Sequence, residues 1–229
     1  MVAARALVLF DIDGTLIRKA GPHHRQALVD AVRTITGLET TTDGVPVQGM
    51  LDPIILEHML SRAGMSRRAV ARAMPSLVRE AQRCYLRNSP ASLRDKVCPG
   101  VRPLLSRLRR RGIPAGLVTG NLTRIGWRKM ERADLKRYFL FGAFAEQAEE
   151  RQGLVRIALR HACARGYLDS RTRVWLIGDH PNDVNAAKAN QVGSIAVATG
   201  IATEDELRAA QPDVLVGDLR TLRLELLVE

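Results

Sequence analysis

Carboxylates and a hydroxyl directly follow apolar runs at three separate places in this 229-residue chain. These residues are Asp11, Thr119 and Asp179, and two more carboxylates, Asp13 and Asp183, follow shortly after the first and the last of them. Two carboxylates as close together as the first pair repel one another unless they share a cation or a proton. A group of carboxylate oxygens suits Mg²⁺, which is bound through a few carboxylates, waters and a substrate phosphate. The pattern therefore indicates a magnesium site that meets a phosphate group.

The segment Thr119-Gly120-Asn121 is a second feature suited to a phosphate. A hydroxyl beside free backbone N–H groups forms a concavity that binds anions. The same three residue types also make ordinary turns. Asp183 is equally well placed as the N-cap of a following helix. The residues alone leave these alternatives open.

Apolar, β-prone runs alternate with helical patterns over most of the chain. The predicted strands are residues 6–10, 113–118, 140–144, 174–177 and 195–197, and the predicted helices between them are 101–111, 123–132, 154–165 and 183–190. Such alternation is typical of an α/β fold with a parallel sheet covered by helices on both faces. Ligands bind beyond the carboxyl ends of the strands in these sheets. The candidate residues are therefore expected at one edge of the sheet.

The first strand is followed by about eighty residues with helical patterns and no strand pattern. The predicted helices are 24–36, 53–62 and 67–86, and Asp52-Pro53 is typical of an N-cap followed by proline at the first helical position. The sequence thus predicts a discontinuous Rossmann-like core of residues 1–15 and 98–229, with a helical insertion at residues 16–97.

Together these features resemble the haloacid dehalogenase superfamily, in particular its phosphoglycolate-phosphatase-like branch with a helical cap. The first family motif, Asp-x-Asp-Gly-Thr, is matched by residues 11–15, and the second, a Thr or Ser after a strand, by Thr119. The fourth, Gly-Asp-x-x-x-Asp, is matched by residues 178–183. The family normally has a lysine as its third motif, and Arg151 stands at that position. The resemblance extends over nearly the whole chain.

The resemblance implies a phosphatase in which Asp11 attacks phosphorus and forms an aspartyl-phosphate. Asp13 would act as the acid and base, and its presence favours phosphate esters because family dehalogenases and phosphonate hydrolases lack it. Mg²⁺ would be held by Asp11, the backbone carbonyl of Asp13 and Asp179, with Asp183 behind these ligands. The phosphate would be bound by Thr119, Gly120, Asn121 and Arg151. A phosphomutase uses the same residues, so hydrolysis and phosphoryl transfer both remain open.

Several neighbouring residues have two interpretations. Arg151 supplies a permanent charge and a planar fork where a lysine supplies a point charge, but it is also placed to pair with Glu149 or Glu150 at the surface. His180 is expected either to line the site or to face solvent. His23 and His24 are expected to be structural or exposed, and Met50 to pack in the interior.

The net charge of +11, carried mostly by arginine, is of a kind that attracts nucleic acid or a phosphorylated substrate. The arginines are spread along the chain, with few aromatic residues among them to stack on bases. We therefore expect a small-molecule phosphate ester as the partner, with a basic nucleic-acid-binding protein of the same fold as the alternative.

The cysteines indicate where the protein works. Cys84, Cys98 and Cys163 are widely spaced and form no ligand pattern with histidine, so reduced thiols in a cytoplasmic protein are expected.

No apolar run approaches the roughly 18 residues of a membrane span. The first ten residues show no charged leader or cleavage site of a signal peptide.

Overall fold

The computed structural model describes residues 5–18 and 21–228, and within these ranges six parallel strands form one sheet. Residues 1–4, 19, 20 and 229, which the prediction assigned to the core or the insertion, lie outside the described residues. The strands are β1 (Ala6–Phe10), β2 (Ala115–Thr119), β3 (Phe141–Phe144), β4 (Arg173–Gly178), β5 (Gly193–Val197) and β6 (Val214–Val216). Their spatial order is β3-β2-β1-β4-β5-β6. This confirms the predicted α/β fold with a parallel sheet.

Eight α-helices lie within the same ranges, and none of them is long and apolar enough to cross a membrane. They are α1 (His23–Thr36), α2 (Asp52–Arg62), α3 (Arg67–Asn88), α4 (Val101–Arg110), α5 (Thr123–Arg132), α6 (Arg151–Ala164), α7 (Pro181–Ala189) and α8 (Glu204–Ala209).

Strand β1 lies at the centre of the sheet, and its five residues are all apolar and all buried. A continuous apolar run of this kind is expected when both faces of a strand are covered. Leu7 and Leu9 point into one apolar cluster, which also holds buried residues of α1, α2, α3 and α6. Val8 and Phe10 point into a second cluster on the other face, together with residues of α4. Both faces of β1 are therefore covered, and its carboxyl end lies in the middle of the sheet edge.

The chain enters and leaves the segment that holds α1, α2 and α3 through two paired backbone stretches. Ile17 forms an antiparallel bridge with Val97, and the backbone N–H of Cys98 donates to the carbonyl of Leu16 over 3.0 Å. The helices of this segment nevertheless share one apolar cluster with the sheet. They pack chiefly on one another, with α3 also against α5, and their apolar cluster is continuous with that of the sheet.

The structure corrects several predicted boundaries. Strand β2 begins at Ala115 rather than at residue 113, because Pro114 has no N–H to donate to a neighbouring strand. Helix α6 begins at Arg151 rather than at residue 154, and α7 at Pro181 rather than at residue 183. The sequence pattern does not predict strand β6, which has only three residues. The predicted strand at 140–144 is present as β3.

Candidate active site

Three buried carboxylates meet where β1 and β4 end. In the parallel register Phe10 lies opposite Ile177, and the N–H of Asp11 donates to the carbonyl of Ile177 over 3.0 Å. One carboxylate oxygen each from Asp11, Asp179 and Asp183 lies within 4.8 Å of the other two. Because β1 and β4 end at the same level, the sheet brings together acids that are far apart in sequence.

The electrostatics of this cluster suit a divalent cation. Burial, followed by the charges of Asp11 and Asp183, raises the pKa of Asp179 to about 8. Burial is also the main cause that raises the pKa of Asp11 to about 6 and that of Asp183 above its usual value. No hydrogen bond from the described residues reaches the buried Oδ1 of Asp11. A bound cation would compensate these charges, because carboxylates crowded away from water otherwise retain protons.

Arg151 reaches into the carboxylate cluster from the first turn of α6 and is only 8% exposed. Its Nη1 donates to Oδ1 of Asp183 and lies 3.5 Å from Oδ1 of Asp11. The alternative in which Arg151 pairs with Glu149 or Glu150 at the surface is therefore wrong. The remaining oxygen of Asp183 accepts the N–H of His180 over 3.2 Å, so Asp183 does not cap α7 as a simple N-cap.

Asp13 lies beside the cluster and is engaged by different partners. Its side chain is 44% exposed, accepts 2.7 Å from Nδ2 of Asn121, and lies 2.6 and 2.8 Å from Nζ of Lys129. Burial acts to raise the pKa of Asp13, but the charge and hydrogen bonds of Lys129 lower it below its usual range. The second acid of the first motif is thus held by a lysine that no sequence motif indicates.

Lys129 is buried, with 1% exposure, on the face of α5 that also carries Ile125 and Met130. A lysine at a core-facing position of an amphipathic helix is unusual, because a buried ammonium must be paired. That position was the available signal in the sequence. His24 and Asp52 also belong to this part of the site. The sequence predicts His24 as a structural or exposed residue and Asp52 as an N-cap. Leu51 is the N-cap of α2, and the Asp52 carboxylate instead accepts the N–H of Leu122 over 2.8 Å.

The segment after β2 is fixed by close contacts. Thr119 is fully buried, and its Oγ1 accepts 2.7 Å from Nδ2 of Asn121. Gly120 lies against the segment before α2, where an added Cβ would come within 2.2 Å of the carbonyl oxygen of Met50. The carbonyl of Gly120 also accepts the N–H of Asp52 over 2.9 Å. A glycine is therefore required here for the helical segment to lie this close to the sheet edge.

We expect Gly120→Ala to lower the free energy of unfolding by about 1–3 kcal/mol, because the new methyl group must displace the backbone at Met50. Urea denaturation of the two proteins measures this difference. Gly217→Ala is the matched control, since a Cβ at Gly217 meets nothing within 4 Å. Equal losses in the two variants would contradict the contact.

A cavity of about 400 Å³ opens above the carboxylates. Asp11, Asp13, Arg151 and Asp179 form its floor, together with Gly120 and Asn121, whereas Thr119 and Asp183 are not among its lining residues. The helical segment contributes the opposite wall, which includes Arg18, His24, Arg25, Gln48, Met50 and Ile55. His180 lines the cavity as well as accepting the N–H of Asn182 through Nδ1 over 3.2 Å. The predicted residues therefore surround one cavity, either on its surface or directly beneath it.

Residues 6–190 match the family of haloacid dehalogenase-like hydrolases. The chain belongs to this family. Phosphoglycolate phosphatases from Pseudomonas savastanoi pv. phaseolicola and Pseudomonas syringae pv. syringae are each 26% identical over 227 residues, which cover 94% of this chain and 78% of theirs. The superfamily and the enzyme class expected from the motifs, a hydrolase, are confirmed.

Solved structures share the fold at low sequence identity. CbbY from Rhodobacter sphaeroides, in complex with phosphate, is similar with a TM-score of 0.70 at 18% identity and covers 99% of both chains. β-Phosphoglucomutase from Clostridium difficile has a TM-score of 0.68 at 17% identity and covers 99% of this chain and 95% of its own. This haloacid dehalogenase-like hydrolase therefore has the fold that its motifs predicted.

Proposed function

We propose that the protein is a magnesium-dependent phosphate monoester hydrolase that acts on a small phosphorylated metabolite through an aspartyl-phosphate intermediate. The carboxylate of Asp11 carries this proposal, because it lies buried at the floor of a cavity with one oxygen free of hydrogen bonds from the described residues. Arg151 stands beside it to balance charge. The relatives named phosphoglycolate phosphatase support a phosphate ester as the substrate.

The metal would be held by Asp11, Asp179 and the backbone carbonyl of Asp13. The raised pKa values of Asp11 and Asp179 support this assignment, as does the proximity of their oxygens. Asp183 would not bind the metal directly but would orient the groups around it, because Arg151 and the N–H of His180 already engage its two oxygens. When bound, Mg²⁺ supplies positive charge that lowers the cost of bringing an anionic phosphate to an anionic nucleophile.

The hydrolysis would proceed in two steps, in which Asp11 is the nucleophile and Asp13 the acid and base. An oxygen of Asp11 forms a bond to phosphorus while the ester P–O bond breaks. Asp13, whose protonated form is favoured once the anionic phosphate ester lies beside it, gives its proton to the leaving oxygen. Water then attacks the phosphorus of the aspartyl-phosphate and passes a proton to Asp13. This second step breaks the bond to Asp11, releases inorganic phosphate and restores the Asp11 carboxylate. Arg151 would bind the transferring phosphoryl oxygens beside the backbone of Gly120, whereas Thr119 and Asn121 would shape this part of the site, because the N–H groups of Asn121 already donate to Thr119 and Asp13.

Residues 16–97 would serve as a cap over this site. Asp52 bonds to the backbone on both sides of Asn121, through the carbonyl of Gly120 and the N–H of Leu122. The Asn182 side chain also donates to the carbonyl of Gly49 over 2.9 Å. A cap held at these points would exclude bulk water and strengthen the electrostatic interactions inside the cavity.

The wall of the cavity indicates the class of substrate. Arg18 and Arg25 line it from the cap side, opposite the acids of the floor. Positive charge on this wall of the cavity favours a substrate whose leaving group is itself anionic, such as one bearing a carboxylate. A volume of about 400 Å³ suits a small metabolite.

Release of inorganic phosphate from a panel of metabolites, measured with Mg²⁺ and with excess EDTA, tests the proposal. The panel should include 2-phosphoglycolate and neutral sugar phosphates. We expect Mg²⁺-dependent release, fastest with the carboxylated esters. Failure to release phosphate from any ester would contradict a hydrolase. Phosphorus NMR that shows sugar phosphates interconverting without phosphate release would instead indicate a phosphomutase.

A further inference from the structure

The ammonium group of Lys129 lies at the centre of a buried polar network between α5 and the cap. Its Nζ lies 2.6 Å from Oδ2 of Asp13, 2.6 Å from Oδ1 of Asn121 and 3.1 Å from Nδ1 of His24. An ammonium has three N–H donors and no acceptor, so these three partners use all of its donors. The position of Lys129 is therefore set from three directions.

The same contacts determine how Asn121 is oriented. Because Lys129 only donates, the amide oxygen of Asn121 must face it, and the amide nitrogen must face the other way. That nitrogen donates 2.7 Å to Oδ2 of Asp13 and 2.7 Å to Oγ1 of Thr119. Lys129 thus holds the carboxylate of Asp13 both directly and through Asn121.

The cap completes the network through His24 and Asp52. The Nδ1 of His24 accepts from Lys129, so its Nε2 carries the ring proton and donates 2.9 Å to Oδ2 of Asp52. The same oxygen of Asp52 accepts the N–H of Leu122 over 2.8 Å. Residues of α1 and α2 therefore supply the contacts on the cap side that keep Lys129 in place.

We infer that Lys129 is a positioning residue for Asp13, which it holds towards the leaving oxygen of the substrate while the cap lies against α5. This inference rests on the proposed phosphatase reaction. A buried ion pair of this kind contributes little net stability compared with apolar residues of the same volume. Both residues line the cavity, but the side chain of Asp13 is 44% exposed and that of Lys129 only 1%, so the carboxylate is the more accessible member of the pair. This difference in exposure suits an acid that is held by the protein and meets the substrate in one orientation.

The decisive experiment compares two substrates of different leaving group in Lys129→Met. An alkyl phosphate needs a proton on its leaving oxygen, whereas p-nitrophenolate leaves without one. We expect kcat/KM to fall by about 10²-fold for the alkyl phosphate and by less than about 10-fold for p-nitrophenyl phosphate, because general acid catalysis contributes on the order of 10²–10⁴-fold. The ratio of the two values does not depend on the folded fraction, so partial misfolding does not obscure it. Lys136→Met, which removes a lysine whose side chain is 54% exposed, is the matched control and should leave both values unchanged.

A double-mutant cycle with Asp13→Asn separates positioning from a general structural role. If Lys129 acts through Asp13, Lys129→Met should lower kcat/KM for p-nitrophenyl phosphate by less than about 2-fold in the Asp13→Asn background. The double variant contains no unpaired member of the ion pair, which favours its folding.

Two results would overturn the inference. One is an equal loss for both substrates in Lys129→Met, and the other is the same loss in the presence and absence of Asp13. A protein in which Asp11→Asn is inactive but Lys129→Met shows either result retains the proposed function and lacks only this role of Lys129. Full activity of Asp11→Asn would instead remove the proposed function itself.

Discussion

Replacement of Asp11 by Asn is expected to lower kcat/KM for phosphate release by about 10⁴-fold or more, because the amide cannot form the bond to phosphorus and removal of a nucleophile costs several orders of magnitude. Phosphate release from p-nitrophenyl phosphate with saturating Mg²⁺ measures the loss. Asn has nearly the shape of Asp, and the buried Oδ1 of Asp11 accepts no hydrogen bond from the described residues. The variant should therefore fold normally.

Asp205→Asn provides the control for the removal of one acidic charge. Asp205 lies on α8 with its side chain 95% exposed and is absent from the cavity wall. Its variant should keep the wild-type rate, and both variants should keep the wild-type circular dichroism spectrum. Equal rates in Asp11→Asn and the wild type would exclude Asp11 as the nucleophile.

The central part of the site could be predicted from sequence because a simple rule positions it. Parallel strands that end at one level bring the residues after them together. Asp11 follows a fully buried apolar strand and Asp179 follows a strand whose last three residues are buried, so their proximity depends on the sheet order and not on details of side-chain packing. Arg151 could be placed by its match to the third family motif, and it lies at the start of α6, although its partner Asp183 emerged only from the structure.

The Lys129 network could not be predicted in the same way, because its contacts join helices that are packed by the tertiary fold. His24 meets Lys129 only when the cap is folded over α5, on which α3 packs. Asp52 was expected to cap its own helix, since Asp before Pro is a common helix start. In the folded chain its carboxylate instead satisfies the N–H of Leu122, a buried group in a different element. Local propensity gives no information about such a partner.

Replacement of Asp179 by Asn is expected to remove most of the stabilisation by Mg²⁺ and to lower kcat/KM by about 10³-fold, because several kcal/mol of charge stabilisation depend on the metal. In the wild type, Mg²⁺ at about 100 times its Kd should raise the free energy of unfolding by about 2.7 kcal/mol. Thermal denaturation with and without Mg²⁺ measures both proteins independently of activity. An equal rise in the midpoint temperature of Asp179→Asn would contradict its role as a ligand.

The dependence of this stabilisation on pH gives a further test of the same substitution. Burial and mutual repulsion raise the pKa of Asp179 to about 8 and that of Asp11 to about 6, above the value of about 4 that an unfolded aspartate has. Between about pH 4 and pH 8 the metal-free folded protein therefore binds more protons than the unfolded chain, so its free energy of unfolding falls as pH rises through this window. Mg²⁺ stabilises the ionised carboxylates, and its effect on the midpoint temperature should be larger at pH 8 than at pH 5. Asp179→Asn should flatten the metal-free pH dependence above about pH 6, whereas Asp205→Asn should leave it unchanged, because only the former removes a buried acid that ionises in that range.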